Sequence, residues 1–233
     1  MCGIIGVIGR RPTRAVPTHD EIVALLDRAL AAGDDVVAVT EAVGAGDRLL
    51  KGLPGVTALV DRPQLVAAIT SRLDQLDAVA DDLDRRLEHA HLDAEALEAR
   101  NAEAIALRDA LWAVRHDRLR TAREVAALAG RDAGEGALAA YLAVQQSLSA
   151  IDRLEVRGRD SAGIHVFVHH HGLDLDDPSV HAIIRERSQD PTYQSGSVRA
   201  AGSVLSFVYK AAAEIGELGD NTRALRAAVA ADT

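Results

Sequence analysis

Apolar positions recur along this chain mainly at helical spacing, interrupted by a few short apolar runs. Ile22, Leu25, Leu26 and Leu30 follow Thr18, His19, Asp20 and Glu21, a capping-box pattern, and Gly33 supplies a stop. The spacing predicts a helix from about residue 19 to residue 32. A shorter helix is expected after Asp34, and then a loop marked by Gly52, Pro54, Gly55 and Pro63.

From Val66 the apolar positions step by three and four through Ile69, Leu73, Leu76, Ala80, Leu83, Leu87, Ala90, Ala94 and Leu97. That is a heptad seam, and its step breaks near Asn101. Leu107, Leu111, Val114 and Leu119 begin a second stripe that ends near Gly130. Two long helices, or one helix with a stutter, would satisfy the pattern. The product is either a coiled-coil-like arm or an ordinary bundle, because heptads alone do not choose the partner. The charged positions between Asp77 and Glu103 read as a solvated helix face with pairs at helical spacing.

A further helix from about 137 to 155 carries Leu138, Leu142, Leu148, Ile151 and Leu154. Ile164 to Val168 reads as a strand from its β-branched and aromatic content. A helix over about 179 to 188 follows the acidic turn around Pro178. Val204 to Tyr209 is apolar and aromatic, Ala211 to Leu218 is helical in composition, and Thr222 to Ala231 has the pattern of a last helix. At the other end, Cys2 to Gly9 reads as a buried strand, with Ile4, Ile5, Val7 and Ile8 β-branched and glycines at positions 3, 6 and 9.

Composition narrows the function. With 48% hydrophobic residues the chain can bury a core, and only 3% are aromatic, so the core is mostly aliphatic side chains on helices. The net charge of -9 leaves no basic footprint for a phosphate backbone, so no nucleic acid partner is expected. No apolar run reaches the roughly 20 residues that span a bilayer, and no secretory leader opens the chain, so no membrane contact and a cytoplasmic location are expected. One cysteine cannot close an internal disulfide, which fits a reducing compartment.

That cysteine is Cys2. Removal of Met1 is expected before so small a residue, which leaves the thiol beside a free α-amine. The amine has an ordinary pKa of roughly 7.7 to 8.0 and the thiol one near 8.5, so nucleophile and base belong to one residue. The plain alternative is a small cysteine buried at a strand start. His169, His170 and His171 invite a metal reading. On a strand, however, successive side chains alternate faces and no further ligand lies at matching spacing, so a solvated strand end is expected, with no metal and no cofactor.

The start "MCGIIGVIG" and the segment "RLEVRGRDSAGIHV", residues 153–166, together resemble the class II glutamine amidotransferases. Within that group they are most similar to the glutamine:fructose-6-phosphate amidotransferases, the glucosamine-6-phosphate synthases. The resemblance implies that Cys2 attacks the side-chain amide of glutamine with its own amine as base, and that Arg157 and Gly158 position the reacting groups. Without the motif, Arg157 would be a helix-end arginine satisfying carbonyls. Asp160, Ser161 and Gly163 would shape the turn. Glutamine and a sugar-phosphate acceptor are the implied substrates, with a sugar-phosphate domain in the same or another chain.

Val156 and Arg159 stand where the family carries aromatics. The family's His-Thr-Arg-Trp-Ala-Thr-His-Gly segment and its Asn-Gly pair do not occur in these residues, and the one tryptophan, Trp112, lies in a helical stretch. The implied fold is α+β, with stacked antiparallel sheets flanked by helices, here incomplete. Residues 1–10 would form its first strand, 11–136 a helical insertion, 137–172 the helix, turn and strand, and 173–233 a mostly helical segment leading to a missing half. By itself such a chain is expected to be an inactive fragment. The alternative is a catalytically silent remnant whose helical arm is an interaction scaffold, with homo-oligomer formation open to it.

Overall fold

The computed structural model describes residues 3–156, 160–189, 195–212 and 217–232. The protein is α+β and divides into two compact units. One comprises Arg10–Leu142 and the other Met1–Gly9 with Ala143–Thr233.

The first unit is helical: α1 (His19–Ala31), α2 (Val36–Leu49), α3 (Gly52–Leu59), α4 (Pro63–Glu88), α5 (Ala94–Trp112), a π-helical turn (Ala113–Leu119) and α6 (Arg120–Ala129). The start of α7 (Glu135–Leu154) also lies in it. Thr18 and Glu21 close the expected capping box on α1: the Thr18 hydroxyl accepts from the Glu21 N–H at 3.2 Å, and Glu21 Oε2 accepts from the Thr18 N–H at 2.7 Å. Those Thr18 bonds, backbone first, hold the Glu21 carboxyl below its ordinary pKa.

The heptad seam is buried within the unit. Ile69, Leu73, Leu76 and Ala80 of α4 share a core with Ile22 and Leu26 of α1, Val39 and Val43 of α2, and Leu107 and Leu111 of α5. The helical unit is therefore a bundle whose seam is covered by its own helices. The pattern breaks at His89–Asp93, between α4 and α5, rather than near Asn101, because Asp93 caps a new helix by accepting the Ala96 N–H at 2.8 Å.

The π-helical turn realigns the second stripe. Its extra residue per turn keeps Leu107, Leu111 and Val114 inward and directs Arg115 and Arg118 to other helices. Arg115 pairs with Asp74 at 2.9 Å and Asp77 at 2.6 Å, Arg108 with Asp81 and Asp84, and Arg118 with Asp47 at 2.8 Å. Much of the charged face thus bridges helices, although Arg85–Asp82 and Arg100–Glu103 do keep helical spacing.

Most of the expected loop at 52–63 is a helix instead, α3 over Gly52–Leu59. Pro54 sits in the first turn of α3, where its missing N–H costs no bond, and Pro63 occupies the same place in α4. Leu53 and Val56 join Val125, Leu138 and Leu142 in a second small core.

Burial of the seam inside one chain sets an expected outcome. Leu73→Ala should lower the stability of this unit by about 2–5 kcal/mol. Urea unfolding read at Trp112, which lies in this unit, should keep a midpoint independent of protein concentration. A midpoint that rises with concentration would mean that the seam is shared between chains.

The second unit holds a three-stranded antiparallel sheet of order β1-β3-β2, formed by β1 (Ala162–His169), β2 (Ser197–Ala201) and β3 (Val204–Ala211). Ile164 lies opposite Tyr209, and Val198 opposite Phe207. Helix α9 (Asp220–Ala230) packs on β3 and β1, and α8 (Pro178–Arg187) on β2. Among the described residues the segment after residue 173 is therefore not mostly helical, since it supplies two of the three strands, β2 and β3, beside α8 and α9. Of the helix expected over 211–218, Ala211 ends β3, residues 213–216 lie outside the described ones, and Glu217 to Gly219 lead by a turn into α9.

The strand expected over Cys2 to Gly9 is not formed in the described part. Residues 3–9 pair with no strand, and Ile4 and Ile8 are 98% and 83% exposed. Strand propensity is realised only against a partner edge, and among the described residues β1 pairs with β3 alone.

Candidate functional site

Cys2, Arg157 and Gly158, the three residues expected to act, lie outside the described residues. Gly3 and Val156, the described residues next to them, belong to the second unit. Gly3 rests against Leu154 in the last turn of α7: a Cβ at Gly3 would stand 2.9 Å from Leu154 Cδ1 and 3.2 Å from Cδ2. A side chain there would have to push the leucine aside. The residue that follows Cys2 and the residue that precedes the motif's glutamate are thus in contact.

Glu155 is 2% exposed, the most buried acid among the described residues. Its Oε2 accepts from the Gly219 N–H at 2.6 Å, and its Oε1 from the Thr222 N–H at 3.2 Å and the Thr222 hydroxyl at 3.4 Å. These donors stand at the head of α9, where the first turn leaves N–H groups unpaired and favours negative charge. Gly219, the N-cap of α9, has φ +90 and no side chain to cap with, so Glu155, the residue that follows α7, reaches across instead. One further tie joins the two helices, since Arg226 of α9 donates to Gln145 Oε1 of α7.

Beyond the motif's centre, Asp160 and Ser161 are exposed and β1 begins at Ala162. Gly163 lies opposite Lys210, and a Cβ there would come within 3.3 Å of the Tyr209 carbonyl oxygen, so the glycine permits this close strand approach. The described residues on either side of the motif's centre are therefore held, the Glu155 side by α9 and the β1 side by β3. Sequence reasoning gave Glu155 no role. Its signal was an acid placed where the helical pattern calls for burial.

At the far end of β1, His169 is exposed, His170 has φ +55, and His171 Nδ1 accepts from the Leu173 N–H at 3.1 Å. Among the described residues no group of three or more His, Cys, Asp or Glu could hold a metal ion. No described helix is long and apolar enough to cross a membrane. No family model, curated protein or solved structure matches the chain.

A second polar cluster locks the sheet to its helices. Arg187 donates to Asp232 at 2.8 and 2.5 Å and through Nε to the Gly196 carbonyl at 2.8 Å, while the buried Tyr209 hydroxyl donates to Asp232 at 2.6 Å. Burial pushes the Asp232 carboxyl up, but the Arg187 and Tyr209 bonds together with the Arg187 charge outweigh it, and its pKa falls below the ordinary value. A carboxyl with a depressed folded pKa stabilises above its unfolded pKa, and that contribution is lost as pH falls through the folded value.

Asp232→Asn should therefore weaken α9 by about 1–3 kcal/mol at neutral pH, and the difference should shrink below a pH of about 4. Amide hydrogen exchange in α9, compared at both pH values, checks this. A difference unchanged on acidification would contradict it.

Proposed function

We propose that this chain carries the nucleophile part of a class II glutamine amidotransferase, most similar to the glutamine:fructose-6-phosphate amidotransferases, and that it works in the cytoplasm. The observation that carries the reading is the contact of Gly3 with Leu154, which joins the two separated segments that bear the resemblance. In this reading the α7, turn and β1 unit and its sheet belong to the family's stacked antiparallel sheets, and the helical unit is an insertion.

The Cys2 thiol gives its proton to the α-amine and Sγ adds to the amide carbon of glutamine. The amine returns the proton to the departing nitrogen, ammonia leaves, and water hydrolyses the glutamyl thioester to glutamate. Arg157 and Gly158 position the reacting groups. Ammonia then passes to a sugar-phosphate domain in the same or another chain, where an amino-sugar phosphate is made.

The test is ammonia release from glutamine by the natural protein purified from its host, with Cys2→Ala as control. Equal rates in the two proteins would remove the enzyme reading. A second reading, a silent amidotransferase remnant used as a helical scaffold, is favoured by the exposed, unpaired Ile4 and Ile8. Equal rates would leave it standing.

A further inference from the structure

The two outer edges of the sheet differ. β2 is 5 residues long, carries Arg199 and has α8 packed on it. β1 is 8 residues long and lies in register on β3 from Ala162 opposite Ala211 to His169 opposite Val204, and among the described residues it pairs with β3 alone. It holds no proline and no Asp, Glu, Lys or Arg, the residues that blunt an edge against further pairing. Such an edge presents a row of outward backbone N–H and C=O groups to another strand.

The same unit contains a strand-forming segment that lacks an edge. Residues 3–9 read Gly-Ile-Ile-Gly-Val-Ile-Gly, without charge or proline in a chain that is 26% charged. They pair with no strand among the described residues, and Ile4 and Ile8 stand in solvent. Pro12, which cannot donate to a ladder, limits the segment on its other side. Neither half of this pairing is made within one chain, and every further copy carries both.

We propose that residues 3–9 of one copy add as a fourth strand to the outer edge of β1 in a second copy. Side chains and charge choose the register, antiparallel with Gly6 opposite Phe167. Phe167 is 60% exposed, and a glycine across from it leaves room for the ring between Ile4 and Ile8. Alternation then sets Ile5 opposite Val168 and Val7 opposite Val166, on the face that carries the buried Ile164. Arg11 falls diagonally beside the exposed Asp160 of the second copy, whereas a parallel strand would carry it to the histidine end of β1. Each copy gives one strand and accepts one, through unlike surfaces. The contact rests on neither reading of the function, and it leaves the α4 seam closed within its own chain.

The experiment is sedimentation of the full chain up to a few hundred micromolar, where the mean mass of wild type should rise above that of one chain. Ile4→Lys with Ile8→Lys spoils the donor segment, and Phe167→Lys spoils the acceptor edge. All three side chains are exposed, and circular dichroism checks the fold of each variant. Each variant should associate at least about tenfold more weakly than wild type. Mixed together they should form a pair, because the first keeps its edge and the second its segment.

A wild type that stays at the mass of one chain overturns the proposal, and protected amides at residues 4–8 in that monomer would show the segment closed on its own β1. Variants that associate as tightly as wild type overturn it too, as does a mixture that stays apart. If Phe167→Lys does not fold, an acetylated peptide of residues 3–11 is added to the Ile4→Lys, Ile8→Lys chain. It should slow amide exchange in β1 by at least about tenfold, and unchanged exchange overturns the proposal.

Discussion

Under the proposed amidotransferase reading, Cys2→Ala in the natural protein should reduce ammonia release from glutamine by a factor on the order of 10⁴ to 10⁶. Alanine keeps the α-amine and the backbone and removes only Sγ, so no glutamyl thioester can form and the reaction loses its covalent route. Cys2→Ser should fall nearly as far, because a hydroxyl ionises far less readily than a thiol beside an amine of ordinary pKa roughly 7.7 to 8.0. Retaining Met1 by a blocking amino-terminal extension should have the same effect with the thiol intact, since the amine proposed as base is then an amide. Full activity in the extended protein would show that the base lies elsewhere.

Gly55→Ala should destabilise the helical unit by about 3 kcal/mol or more. A methyl on Gly55 would overlap the Leu50 carbonyl at the end of α2, and what it meets is backbone that cannot swing aside. That end is also held by Arg14, which donates to the carbonyls of Leu49 at 2.5 Å and Lys51 at 2.6 Å, so relaxation would break those bonds as well.

Gly44→Ala, in α2, is the matched control. Its Cβ would meet only Arg48 Nη1 at 3.5 Å, an ordinary contact with a flexible side chain. It should stabilise by about 0.5–1 kcal/mol, because glycine is the costlier residue in a helix interior. Urea unfolding of both variants at Trp112 checks the pair. Effects of equal sign would show that Gly55 does not pack closely on α2.

The expectations that matched the structure rest on signals only a few residues apart. Thr18 and Glu21 announce α1, the steps from Ile69 to Leu83 announce α4, and the β-branched run from Ile164 to Val168 announces β1. Those that failed needed a distant partner. Gly52, Pro54 and Gly55 read as a loop, yet form α3, because Pro54 falls in a first turn and Gly55 lets α3 lie against the end of α2. Ile4, Ile5 and Ile8 read as a buried strand, yet no edge among the described residues pairs with them. Ser197–Ala201 carried too weak a pattern to be read as a strand until β3 supplied its register. At the candidate site, the two motif segments were legible as residues, whereas the contact of Gly3 with Leu154 and the reach of Glu155 to Gly219 were not.

By itself the sequence determined where α1 starts and which stripes α1 and α4 bury, because a cap and 3.6-residue periodicity are settled within one or two turns of chain. Only the tertiary structure decided what meets each stripe. The seam of α4 is closed by α1 and α5 of its own unit, the charged face is tied down by Arg108 and Arg115, and a buried glutamate joins α7 to α9. Such choices depend on which surfaces chain closure brings together and on whether each buried polar group finds its partner there, and neither is encoded in local spacing.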